Sequence, residues 1–267
     1  MSDLAANLRR SAVVAAALLS GCVGTELPPS LWPPQDFVVE LEEVRFVDDG
    51  VHVLRRFRVD ASGVALYGES EQPLLLPGTN VSLPVFDRLA IYRLAPECVR
   101  ALSRRICRIG SPDLSVDPGV HGTAEIGLVV RWQAFQAREE LTGAGRLHGV
   151  LAEIVALVAA YLPPGVQLHT QFGRKVVPVL TGVPEVAESG DGALSAYREL
   201  REQSGNAPNF LLEGLALACA RGARDDADRW LEAWTSATAE QRSRAPAFGD
   251  KAAPLQPAQL RELLPPQ

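Results

Sequence analysis

The sequence is poor in lysine, methionine and aromatic residues, and it lacks the short motifs that mark most enzymes. Lys175 and Lys251 are its two lysines; every other base is arginine, a trait of genomic composition. A basic balance is missing as well. The chain carries 26 basic against 32 acidic residues, which argues against a general nucleic-acid binder. There is no Gly-x-Ser-x-Gly elbow, no His-Glu-x-x-His pair and no P-loop. Gly190 and Gly192 form a Gly-x-Gly without a third glycine or a preceding strand. His52, His121, His148 and His169 are isolated and show no metal spacing, so neither a metal nor a cofactor is expected. Long hydrophobic runs are absent too. The nearest, residues 149–162, is shorter than the ~20 residues of a spanning helix and contains Glu153.

What is present begins at the N-terminus. Arg9 and Arg10 precede an apolar stretch over residues 11–20, near the length of a signal h-region and too short to span a bilayer. The stretch closes on Leu19, Ser20, Gly21 and Cys22. These four residues resemble the lipobox of bacterial lipoprotein precursors, a resemblance confined to the first two dozen residues. It implies that 1–21 is a signal peptide, that cleavage falls before Cys22, and that the Cys22 thiol carries the diacylglyceryl anchor. Two or three acyl chains, at ~0.8 kcal/mol per buried CH2, hold far better than one. Val23 stands where an Asp would retain a lipoprotein in the inner membrane, so the resemblance implies an outer-membrane lipoprotein facing the periplasm. Removing 1–21 takes away Arg9, Arg10 and Asp3 and leaves 24 basic and 31 acidic residues.

Three further cysteines, Cys98, Cys107 and Cys219, would face an oxidising periplasm. Residues 96–109 are predicted to be helical, with Val99, Leu102, Ile106 and Ile109 on one face. Nine residues turn a helix by ~900° and advance it ~13 Å. Cys98, at the edge of that face, and Cys107, on the far side, are then beyond the ~7 Å Cα separation a disulfide tolerates.

The mature chain divides by pattern into a Pro-rich tether (22–36), an α+β domain (37–185), a helical region (189–244) and a Pro-rich tail (245–267). The tether contains Pro28, Pro29, Pro33 and Pro34; an extended run at ~3.1 Å per residue would hold the body up to ~40 Å from the lipid. Trp32 either rests at the membrane interface or packs on the domain. Residues 37–46, 51–59 and 64–67 alternate as three strands, with turns at Asp48-Asp49-Gly50 and Gly63. Val51, Val53, Phe57 and Val59 are predicted to share one face. Glu40, Glu42 and Glu43 come opposite Arg55, Arg56 and Arg58, and are read as cross-strand ion pairs on a solvated face, worth little each, in preference to a charged ligand groove. Further strands are expected at 88–94, 125–135 and 171–180, with a mostly buried helix between Leu147 and Tyr161. The order suggests an antiparallel sheet with packed helices.

From 189 onward the periodicity is helical. Ala193, Tyr197 and Leu200 form one stripe, residues 210–220 a second helix, and Ala227, Trp230, Leu231 and Trp234 mark a third, with a short one at 259–263. Leu211, Leu215, Ala218, Gly222, Ala227 and Leu231 resemble a single tetratricopeptide unit and depart from it at the usual aromatic positions. One such unit cannot bury its own face, so this hairpin is expected to dock on the first domain.

One loop carries residual chemistry. Asp113, Ser115 and Asp117 space oxygen donors like a calcium loop, but Pro118 sits where glycine is required, Gly119 is one residue late, and Glu125 is at thirteen instead of twelve. It reads as a polar turn; His121 beside it lacks a nucleophile. The sequence therefore suggests a palmitate-bearing periplasmic lipoprotein, a non-enzymatic interaction or scaffold protein with an envelope protein as partner and no nucleic acid. The alternative is an envelope hydrolase whose site is assembled from distant residues.

Overall fold

The computed structural model describes residues 32–47, 50–77, 82–109, 126–144, 149–169, 176, 179, 190–204, 208–238 and 255–266. The expected signal peptide with Cys22, the loop from Asp113 to Glu125 with His121, His148, and most of the expected strand at 171–180 lie outside them. Val176 and Val179 are described and belong to no strand.

Alternating β-branched and aromatic residues give β1 (Val38–Val47), β2 (Gly50–Asp60) and β3 (Val64–Glu69). A small pair, β4 (Leu74–Leu75) and β5 (Ser82–Leu83), precedes β6 (Arg88–Arg93). Helix α1 (Pro96–Ile109) follows, then β7 (Ile126–Ala134), β8 (Ala137–Ala144) and helix α2 (Gly149–Ala159). The large sheet runs β6-β3-β2-β1-β7-β8, with every neighbouring pair antiparallel. The fold is α+β: an antiparallel sheet with packed helices.

Strand β8 is not expected from the sequence, for a physical reason. Phe135 and Gln136 form its turn with φ of 53° and 67°, and neither is a usual residue for the left-handed region. Asp36 supplies what the turn residues lack. Its carboxylate accepts from the backbone N–H of Phe135 at 3.0 Å and of Gln136 at 2.6 Å. Asp36, placed in the tether by composition, is thus tied to the sheet, and Pro33–Gln267 forms one compact unit.

A β-bulge decides which residues share a face. Glu43 pairs with Arg55 but Val44 pairs with Val53, so Leu54 is an extra residue on β2. Side-chain parity therefore reverses along β2. Phe57 and Val59 join Val39, Leu41 and Tyr67 in the core beneath α1 and α2. Val53 joins Val44, Leu66 and Val129 in the core on the opposite face, with Val51 packed at its margin. The expectation that Val51, Val53, Phe57 and Val59 share one face is wrong because a period of two holds only while no residue is inserted.

The second face is covered by α3 (Gly190–Ser204), α4 (Pro208–Ala220), α5 (Arg224–Ser236) and the short α6 (Pro257–Arg261). Gly222 ends α4 at φ +67°, and the bonds Gly222 N–H to Cys219 O and Ala223 N–H to Ala218 O close a Schellman motif that turns the chain into α5. Tyr197, Leu211, Leu215, Trp230, Leu231 and Trp234 share a core with the sheet residues Val44, Leu66 and Val129. Helix α1 is continuous, and Cys98, Cys107 and Cys219 are free. Cys107 is half-buried against the first core, not on the far side; it and Cys98 flank the two edges of the buried stripe.

Candidate functional site

The sheet register lines up charges of alternating sign across the strands, once on each face. On the face beneath α3 and α4 the row is Glu140, Arg131, Glu40 and Arg58, with Glu42 and Arg56 adjoining it. Arg131 reaches Glu140 at 2.6 Å, Glu42 at 2.5 Å and Glu40 at 3.3 Å. The Arg56 Nε donates to Glu42 at 2.7 Å, and its Nη2 donates to the same carboxylate. Its Nη1 donates to Glu213, the one charged residue among the buried positions of α4. Tyr197 of α3 donates its hydroxyl to the other Glu213 oxygen at 2.8 Å. Phe86 lies under the Arg56 guanidinium at 5.3 Å, and Phe210 under that of Arg58 at 5.1 Å.

The sequence places these Glu and Arg residues opposite each other correctly, but their expected solvation is wrong. Arg56 is 0% exposed, and Glu40, Glu42 and Glu43 are all buried, because helices cover both faces of the sheet. The energetics change accordingly. A surface pair contributes ~0–1 kcal/mol. Removing one member of a buried pair strands the other and costs ~3–5 kcal/mol. Burial alone would push the Glu42 carboxyl up, but Arg56 and Arg131 overcome it and hold the group below its ordinary range. For Glu213 burial wins over Arg56 and the Tyr197 hydrogen bond, and the carboxyl is pushed up. Burial and Glu213 likewise raise the Tyr197 hydroxyl well above its usual value.

The second row crosses the opposite face as Glu43, Arg55, Glu69 and Arg88. Arg55 donates to Glu43 at 3.1 Å and to the Gln167 carbonyl at 2.8 Å. Glu69 accepts from Tyr67 at 2.6 Å and from Arg88 at 2.7 Å. Glu43 also binds His169 twice: it accepts from the backbone N–H at 2.6 Å and lies 2.9 Å from ring Nδ1. The same Nδ1 lies 3.2 Å from Arg55 Nη1, which can only donate, so the half-exposed ring sits between a carboxylate and a guanidinium that make opposite demands on one nitrogen. The row thereby clamps the segment after α2 onto the sheet.

Sequence reasoning missed Glu213, Tyr197, Arg131, Glu69 and His169 as members of these clusters. For Glu213 a signal existed, since it is a lone charge inside an otherwise apolar helix. For His169 none did, because its partner is 126 residues away. Among the described residues no group of His, Cys, Asp and Glu is arranged to hold a metal, and no helix is long and apolar enough to cross a membrane. An open groove of ≈ 550 Å³ lies between α5 and α6, with Leu231 and Leu264 flanked by Arg224, Asp228, Glu232 and Arg261. No family model, curated protein or solved structure matches the chain.

Proposed function

We propose that this chain is a lipid-anchored protein of the cell envelope, held on the outer membrane through Cys22 and facing the periplasm, and that it works by binding another envelope protein, not by catalysis. The anchor rests on the register of Arg9, Arg10, the apolar stretch and Leu19-Ser20-Gly21-Cys22. The observation that carries the binding role is how the fold uses its charges. The ionisable side chains gathered at the sheet centre bond to one another in the buried interior, Arg56 to Glu42 and Glu213 above all, where a substrate has no place. The open groove between α5 and α6, with Leu231 and Leu264 rimmed by charges of both signs, gives a protein partner a surface to engage.

Labelled palmitate tests the anchor. Wild type takes up label, whereas Cys22→Ala accumulates as unlabelled precursor; normal labelling of the variant ends the lipoprotein reading. A photo-crosslinker at Thr235, beside the groove, tests binding in native envelopes. A discrete adduct that disappears with Glu232→Arg, an exposed change at the groove rim, supports it, and absence of any discrete adduct counts against this face.

One observation favours the hydrolase alternative. The Glu43 carboxylate lies 2.9 Å from Nδ1 of the half-exposed His169 ring, the contact a carboxylate makes with a general base. On that reading, ester, amide or glycoside turnover would be lost in both His169→Ala and Glu43→Gln. Turnover unchanged in both reduces the pair to a clamp.

A further inference from the structure

Helix α4 is apolar nearly all round. Every residue from Phe210 to Ala218 is buried, and eight of the nine are Phe, Leu, Ala or Gly. Such a helix has no rotational preference from hydrophobic burial, because turning it by one residue exchanges one apolar contact for another. Yet two neighbours demand a single setting. Gly214 faces the Trp230 indole of α5, and Glu213 faces Arg56 on β2.

Among the described residues, the sheet face beneath sets three guanidinium groups against two buried carboxylates and one at its rim. Arg56, Arg58 and Arg131 stand over Glu40 and Glu42, and Glu140 meets Arg131 only at the exposed rim. Glu213 adds a third buried carboxylate from above, on Arg56. Its second oxygen accepts from Tyr197, which packs edge-on against Trp230 at 6.4 Å between ring centres. One carboxylate therefore ties β2 to α3 and α4, and through Tyr197 reaches α5.

We infer that Glu213 is a register key: its pairing with Arg56 and Tyr197 selects the one rotation and axial position in which the α3–α5 layer docks on the sheet. In any other setting an unpaired carboxylate would lie among apolar side chains, and the Arg56 Nη1 would lose its Glu213 acceptor under the helix while Nε and Nη2 stay on Glu42. The key discriminates between packings that burial alone leaves nearly equal in free energy, in the manner of a single polar residue fixing the register of a coiled coil.

Glu213→Leu in the mature chain tests this. NMR spectra should retain one set of resonances for the strands and show multiple or broadened sets for residues 190–236. Near-UV ellipticity from Tyr197, Trp230 and Trp234 should fall by more than half. Far-UV and fluorescence unfolding transitions should separate. A single sharp set of resonances with coincident transitions would overturn the proposal. Should this variant not fold, the double variant Arg56→Leu, Glu213→Leu settles it. That pair of changes leaves Arg58 and Arg131 against Glu40 and Glu42, so no charge is stranded. A folded double variant with several slowly exchanging packings supports the key. One unique packing refutes it, and so does failure of the double variant to fold, since a key sets which packing forms and not whether the chain collapses.

Discussion

Gly214 lies so near the Trp230 indole that a Cβ added to it would stand 2.8 Å from Cε2 and 2.9 Å from Cδ2. Two effects of Gly214→Ala compete. Helix propensity favours alanine by up to ~1 kcal/mol. Overpacking against a ring that is itself 1% exposed costs ~1–3 kcal/mol. The indole is wedged between α4 and Tyr197, so overpacking wins. Urea unfolding should show a net loss of ~1–2 kcal/mol; equal or greater stability would mean that the layer yields easily.

Trp230→Ala removes the same ring. It should cost ~3–5 kcal/mol, because the indole belongs to a core shared with the sheet residues Val44 and Val129. For the same reason an isolated fragment of residues 189–244 should lack a cooperative melt. A sharp transition in that fragment would show that the helices make a core of their own.

Asp36 holds a strained turn through two backbone N–H groups. Asp36→Ala should destabilise by ~1.5–3 kcal/mol, as expected for hydrogen bonds to a charged group. Gln136→Gly, at φ 67°, should stabilise by ~0.5–1 kcal/mol because glycine adopts that conformation without penalty. Phe135 is a poorer place for glycine, since its ring packs on the first core. A destabilised Gln136→Gly would show that the side chain does more than occupy the turn.

Glu42 and Glu213 should give opposite pH dependences. The Glu42 carboxyl is lowered from 4.5, so its support is present above that pH and is lost as pH falls through the lowered value. The Glu213 carboxyl is raised from 4.5. The folded state then binds the proton more readily than the unfolded one, and its contribution weakens as pH rises from 4.5 through the raised value. Unfolding free energies measured from pH 3 to 8 should therefore show the deficit of Glu42→Gln shrinking in acid. Glu213→Gln should gain on wild type as pH rises. Parallel curves for the two variants would contradict the assignment.

The Cys98 and Cys107 sulfurs flank a continuous α1, and burial pushes the thiols of Cys107 and Cys219 up to about 11. Non-reduced digests should contain no Cys98–Cys107 peptide. Alkylation of Cys107 and Cys219 at pH 8 should be slow in the native protein and fast in denaturant. A quantitative crosslink would require α1 to break.

Local pattern was enough for most elements. Alternation placed β1, β2, β3, β6 and β7, and helical spacing placed α1 to α5, because both periodicities are imposed by the backbone itself. Strand pairing was legible as well: Glu40, Glu42 and Glu43 do oppose Arg58, Arg56 and Arg55. The candidate site was not legible, since its members gather from β1, β2, β7, α3 and α4.

By itself, then, the sequence determined most of the strands and helices in their order and the pairing of β1 with β2. Tertiary structure decided three things that no local window contains. The insertion of Leu54 reversed the faces of β2. Asp36 made a hairpin of a turn its own residues disfavour. Helix α4 covered a sheet face whose pattern looks solvated, and so turned surface ion pairs into a buried network. In each case the deciding partner is distant along the chain or is a single inserted residue, and side-chain periodicity carries no information about either.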